Sequence, residues 1–227
     1  MSATPHPRER FARLLPAQGA VLDVGCWSYS FSRYCEGIGL SGLRHFGVDR
    51  EKPPDDAPPA GFTFALADLE SDPLPFPDGN FDGVVLSHVI EHVVRPLRLV
   101  DESLRVLKTG GWLYVECPSD RSLWLPSMPF KLEESRSLNF FDDPTHVGRP
   151  QTPQSLHRLF RMYGAEVVET RYLSSWSVRL RAPWLIPKAL LRRDAAMLED
   201  VVWRTFGFAV FGIARKAEAA TRRYVLP

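Results

Sequence analysis

The sequence predicts an α/β fold in which a mostly parallel sheet lies between two layers of helices. Three observations carry this. Apolar runs of strand length, such as Val21-Leu22-Asp23-Val24 and Val84-Val85-Leu86, are continuous rather than alternating, as in strands buried on both faces. Between them lie segments with apolar residues at helical spacing, Leu97, Val100, Leu104 and Leu107 among them. Strands that alternate with helices have the length of chain needed to cross over and run parallel.

The elements follow in order. Arg8 to Leu15 reads as a short helix stopped by Pro16, and Gly19 opens a first strand over 20–25. A helix over Ser28 to Leu40 and a second strand over Leu43 to Asp49 complete a βαβ unit. The Pro- and Asp-rich stretch from Pro53 to Pro59 is a loop, and Phe62 to Leu66 is a third strand before Asp68. Pro73, Pro75, Pro77, Asp78 and Gly79 punctuate the next connection, after which Phe81 to Ser87 is the fourth strand. Pro96 suits the first turn of the following helix, Gly110-Gly111 stops it, and Trp112 to Cys117 is a fifth strand ended by Pro118. Thr152 caps and Pro153 opens a helix through Leu156, Leu159, Phe160 and Tyr163, which Gly164 closes. Glu166 to Leu173 and Phe206 to Arg215 form a last strand pair, making a seven-stranded sheet. Residues 174–204 are a short helical insertion or lid before the last strand, with a helix near Lys188 to Trp203.

Composition narrows the classes. The 227 residues suffice for a single α/β domain with a full core and an insertion, so one domain over 1–227 is expected. Hydrophobic residues at 44% and charged residues at 24% exclude a disordered chain. A formal net charge of +1 gives no global attraction to nucleic acid, and none is expected as a partner. Cys26, Cys35 and Cys117 are too few and too irregularly spaced for a disulfide framework or a zinc site, which fits a reducing cytoplasm. The opening Met1-Ser2-Ala3-Thr4-Pro5-His6 is no signal peptide, and no apolar run approaches the roughly 18 residues of a membrane span.

Sheets of this type bind ligands at the carboxyl ends of their strands, so the chemistry belongs just after Gly25, Asp49, Asp68, Ser87 and Cys117. Val21-Leu22-Asp23-Val24-Gly25-Cys26-Trp27-Ser28-Tyr29 ends the first strand in a turn that needs a residue without Cβ, and Asp49 lies 24 residues beyond Gly25. Ala67-Asp68-Leu69 follows the third strand, Pro75-Phe76-Pro77-Asp78-Gly79-Asn80-Phe81-Asp82-Gly83-Val84-Val85 leads into the fourth, and Leu107-Lys108-Thr109-Gly110-Gly111 leads into the fifth. In this order the motifs resemble those of class I S-adenosylmethionine (SAM) dependent methyltransferases over nearly the whole chain.

The resemblance implies a Rossmann-like three-layer sandwich with SAM as cofactor. It implies Asp23, Gly25, Cys26, Trp27 and Arg50 among the cofactor-binding residues, Asp49 at the ribose, Asp68 and Leu69 at the adenine, and Ser87 and His88 lining the cofactor. Trp27 and Tyr29 stand where the family carries glycine. That departure keeps a second reading open, a non-catalytic methyltransferase-like binding or regulatory protein.

His88-Val89-Ile90-Glu91-His92 also matches the H-x-x-E-H pattern of inverted zinc proteases, which requires both histidines on one helical face. Its place after a buried strand fits instead the E-x-x-E-H run of methyltransferases of the ubiquinone-biosynthesis branch, with His88 replacing the first glutamate. That run can hold a divalent metal in the branch; no metal ligand is assigned here. Phe140-Phe141-Asp142-Asp143-Pro144-Thr145-His146 resembles the acceptor-side loop of the same branch. His146, His92 and Asp143 are the candidate catalytic residues, for orienting or deprotonating an acceptor hydroxyl, since imidazole titrates near neutral pH. The implied reaction is methyl transfer to a small-molecule, glycan or lipid-linked acceptor, at oxygen. Between Ser174 and Arg193 the chain interleaves Trp176, Leu180, Trp184, Leu185 and Ile186 with Arg179, Arg181, Lys188, Arg192 and Arg193, and has no acidic residue. Such a segment either lies on an anionic membrane as a peripheral contact or packs as a lid with its basic face in water.

Overall fold

The computed structural model describes residues 5–52 and 57–218. The opening residues 1–4 and positions 53–56 of the expected proline-rich loop lie outside it. The elements are α1 (Pro7–Leu14), β1 (Ala20–Val24), α2 (Ser30–Gly37), β2 (Arg44–Asp49), β3 (Thr63–Leu66), β4 (Phe81–Ser87), α3 (Pro96–Val106), β5 (Leu107–Pro118), α4 (Pro153–Met162), β6 (Ala165–Tyr172), α5 (Trp176–Arg192), α6 (Ala195–Phe206) and β7 (Ala209–Lys216). Short 3-10 turns stand at Asp120–Trp124 and Phe140–Asp142.

The strands form a seven-stranded sheet in the order β3-β2-β1-β4-β5-β7-β6. Only β7 is antiparallel to its neighbours. The chain leaves β1 toward β2 and β3, then returns to pair β4 on the other side of β1, so the order reverses between β1 and β4. A reversal of this kind opens a crevice at the carboxyl ends of those strands. Helices cover both faces: Phe11 of α1 and Phe31 of α2 pack with Val21, Val85 and Tyr114, while Leu99 and Leu104 of α3 and Leu156 and Phe160 of α4 pack with Leu22, Val84 and Leu113.

Three expectations need correction. Leu107, expected in the helix, and Gly110-Gly111, expected to end it, belong to β5. Leu107 pairs with Phe81, the register slips before Gly83 meets Trp112, and Gly110 at φ +78° takes up the bend. The insertion holds two helices rather than one near 188–203. Its chain breaks at Arg193, with φ 50°, and Asp194 then caps α6 through the Met197 amide at 3.0 Å. Phe206, expected to open the last strand, ends α6 instead. Pro183 and Pro187 lie inside α5 on its exposed side, where water can serve the carbonyls that their missing amides leave open.

Candidate active site

The turn after β1 is shaped by close packing. Gly25 has φ +75°, and a Cβ there would lie 2.4 Å from the Val89 side chain, so the position requires glycine. The bulky residues that follow leave the turn in two directions. Trp27 is 50% exposed. Tyr29 takes a left-handed φ of 52° and is fully buried, its ring edge-on to Phe62 at 4.8 Å, and Phe62 in turn covers Gly47 of β2. Cys26, expected at the cofactor, also turns its side chain onto Gly47. Only its backbone remains on the turn.

Acidic groups stand at the neighbouring strand tips. Burial pushes the Asp23 carboxyl up to about 7 against the attraction of Arg8, and among the described residues its Oδ2 has no hydrogen-bond partner. Asp49 ends β2, is buried, and accepts the Arg50 amide at 2.7 Å; burial raises its pKa. The side chain of Arg50 points to solvent beside Glu51. Asp68 lies exposed beyond β3, where the Ser71 hydroxyl and the Glu70 amide hold its carboxyl below the usual range. The Ala67 amide donates to the Asp49 carbonyl, which fixes one loop against the other, and Leu69 packs partly on the core.

A buried ionic network that the motifs did not reveal crosses the tips of β4 and β5. Arg8 of α1 donates to Ser87 Oγ at 2.6 Å and lies 3.5 Å from Glu116, while its Nε has no partner among the described residues. His88, at a left-handed φ of 56°, bridges Glu91 at 3.1 Å and Glu116 at 3.3 Å and stacks on Trp203 of α6. Burial opposes a charge on His88, but hydrogen bonds to Glu116 and Glu91 outweigh it and push its pKa up to about 10. Glu116 is buried, yet Arg8 and His88 hold it well below the carboxylate range, and it also accepts the Tyr114 hydroxyl. A charge inside the apolar run of the fifth strand was the one visible signal for Glu116; nothing in the sequence near Arg8 pointed to the site.

The 88–92 segment is a turn, not a helix. His88 and His92 therefore face different partners, and the zinc-protease geometry does not arise. His92 Nδ1 lies 2.9 Å from Thr145 Oγ1, and that hydroxyl donates to Asp143 Oδ1 at 2.6 Å. A hydroxyl has one proton, so His92 Nδ1 is the donor in its pair. His146 Nδ1 faces the Phe140 carbonyl at 2.6 Å and must donate to it, leaving the Nε2 lone pair 3.8 Å from Asp143 Oδ2. The 140–150 loop is held on this turn by the Val147 and Gly148 amides, both bonded to the Glu91 carbonyl. Two distant motifs thus bring His92, Asp143 and His146 together. Ligand atoms of Glu91, His92 and His146 lie within 4.8 Å of one another, a grouping that can hold a cation and that the sequence did not assign.

A family model described as a methyltransferase domain matches residues 3–170. The chain belongs to this methyltransferase family. An uncharacterized methyltransferase of Mycobacterium sp. (strain JLS) is 36% identical over 99 residues, 42% of this chain and 37% of that protein. The biotin biosynthesis bifunctional protein BioHC of Teredinibacter turnerae is 29% identical over 103 residues, 45% of this chain and 16% of that protein. Each match spans well under two thirds of the relative's own length. Among solved structures, a SAM dependent methyltransferase from Archaeoglobus fulgidus superposes with a TM-score of 0.60 at 23% identity over 92% of both chains. The 1,6-didemethyltoxoflavin-N1-methyltransferase of Burkholderia thailandensis, solved with 1,6-didemethyltoxoflavin and S-adenosylhomocysteine bound, superposes with 0.58 at 15% identity over 93% of this chain and 78% of that one. At these identities the likeness is one of fold.

As a class I methyltransferase domain, the chain uses SAM as its cofactor. The residues present fit that molecule. The amino-acid end of SAM carries an ammonium and a carboxylate, and the methyltransferase offers an orphaned Asp23 oxygen and an orphaned Arg8 Nε, both buried. Asp49 would take the ribose hydroxyls and Asp68 the adenine amine.

Proposed function

We propose that the protein transfers a methyl group from SAM to an oxygen of a small-molecule, glycan or lipid-linked acceptor, with His146 as the base. The carrying observation is the bond from His146 Nδ1 to the Phe140 carbonyl. It fixes the ring so that Nε2 is the basic atom, much as a base is held in its working tautomer by a partner at its other nitrogen. SAM supplies an activated methyl on a sulfonium. The chain's own residues then hold the acceptor hydroxyl in line, exclude water, and take its proton at His146 Nε2, where Asp143 balances the imidazolium that forms. His92, tied to Asp143 through Thr145, orients the acceptor from the other side.

We read residues 1–227 as one catalytic domain, with 174–204 as its lid and 174–193 in peripheral contact with an anionic membrane. Among the described residues no helix is long and apolar enough to cross a membrane. The free, buried cysteines suit the cytoplasm. The test is His146→Ala, assayed with labelled SAM against a panel of hydroxylated acceptors. SAM affinity should hold while turnover falls about 100-fold or more, the usual worth of a positioned base. Unchanged turnover would remove His146 from the mechanism.

A further inference from the structure

The insertion borders a half-open cavity that methyl transfer itself does not require. It measures about 860 Å³ and lies between α5, α6 and the 121–138 segment, lined by Leu125, Leu138, Ile186, Leu190, Leu198 and Val202. Among the described residues, its only charged lining side chains are Arg121 and Arg179. Both bond to backbone carbonyls of the α6 end, at Phe206 and Thr205, and neither pairs with a carboxylate among the described residues.

The outer surface beside this cavity is equally unusual. Trp176, Leu180, Trp184, Pro187 and Leu191 follow at steps of three and four residues, so they form one stripe along α5. All of them are exposed, Leu191 by 87%, and Trp124 at the cavity rim is exposed by 87%. The opposite edge of α5, through Val178, Ala182 and Ala189, is the buried one. Arg181, Lys188 and Arg192 flank the stripe, all exposed. A helix that packs one face inward normally turns polar residues outward. An outward stripe of tryptophan and leucine beside a row of cations matches helices that lie in the interface of an anionic bilayer.

We propose that the cavity is a binding site for the hydrocarbon chain of an anionic, membrane-resident amphiphile, drawn in from the bilayer on which α5 rests. Arg121 and Arg179 meet its anionic group. Val202 lines the cavity while the adjacent Trp203 stacks on His88, so the same helix, α6, touches both the cavity and the ionic network at the strand tips. Naming the head of such an amphiphile as the methyl acceptor rests on the oxygen-methylation reading, whereas chain binding does not.

The experiment titrates the full-length protein with palmitate and its shorter homologues, followed by calorimetry, and measures S-adenosylhomocysteine binding in parallel. One saturable site should appear, with affinity rising about fourfold for each methylene, or ~0.8 kcal/mol. Leu190→Glu, at the cavity mouth, should weaken palmitate by at least about tenfold because it sets an unpaired charge against the chain. Leu191→Glu, one residue on and facing outward, should leave palmitate binding intact but reduce co-sedimentation with phosphatidylglycerol vesicles. Absence of saturable palmitate binding, an affinity that ignores chain length, or a self-association abolished by Leu191→Glu with no fatty acid taken up would each overturn the proposal. Loss of S-adenosylhomocysteine binding alone would instead count against the methyltransferase reading and leave the cavity assignment standing.

Discussion

Asp23 is a carboxylate kept in a place that disfavours its charge. Burial raises its pKa to about 7, so folding favours the protonated form. The stability this contributes is present below the ordinary carboxylate range and is lost as pH rises toward 7. An arriving ammonium reverses the preference, because it pairs only with the ionised group. SAM affinity should therefore increase as pH passes through 7 and then level off, and Asp23→Asn should flatten that profile; calorimetry at several pH values reads both, and an equal slope in the variant would clear Asp23 of the role. Asp23 and Asp49 were legible in the sequence because strand ends are where such sheets carry chemistry. The direction of a side chain is not. Trp27 and Tyr29 look like obstructions in the linear sequence, yet one turns to solvent and the other packs on Phe62. Arg8 was illegible for a different reason, since its partner Ser87 lies 79 positions away and no spacing rule connects them.

At the scale of elements, the site depends on two segments docking through their backbones. A Cβ on Gly148 would lie 3.2 Å from both the Ile90 and Glu91 carbonyls, so glycine lets the loop carrying Asp143 and His146 sit a few tenths of an ångström closer to the 88–92 turn than a side chain would. Gly148→Ala should displace the loop slightly, lowering turnover while SAM affinity holds and costing about 1 kcal/mol of stability. Full turnover in this variant would show that the loop does not need its present seat. The strands and most helices were legible because burial on both faces leaves continuous apolar runs. The two-helix insertion was not: Pro183 and Pro187 argue against a helix in any local reading, and only their exposed placement makes α5 tolerable. Gly110-Gly111 misled for a related reason, since a bulge and a helix stop call for the same residue.

Across the whole molecule, His88 is where separate layers meet. Its imidazolium sits between Glu91 and Glu116, Arg8 reaches the same carboxylate from α1, and Trp203 covers the ring from α6. A histidine whose folded pKa is raised to about 10 stabilises fully below its unfolded value near 6.5, and that contribution is lost as pH climbs through 10. The melting temperature should fall steadily over that alkaline interval, and His88→Gln should remove most of the slope; a wild-type melting temperature indifferent to pH there would mean that the network carries no net charge coupling.

The whole account turns on acidic side chains at adjacent strand tips receiving a nucleoside. Calorimetric titration of S-adenosylhomocysteine into wild-type protein and Asp49→Ala tests it most directly. Micromolar binding that weakens about tenfold or more in the variant, the worth of a hydrogen-bonded charged group, is the predicted result. No heat with the wild type, or equal affinity in both proteins, would contradict it.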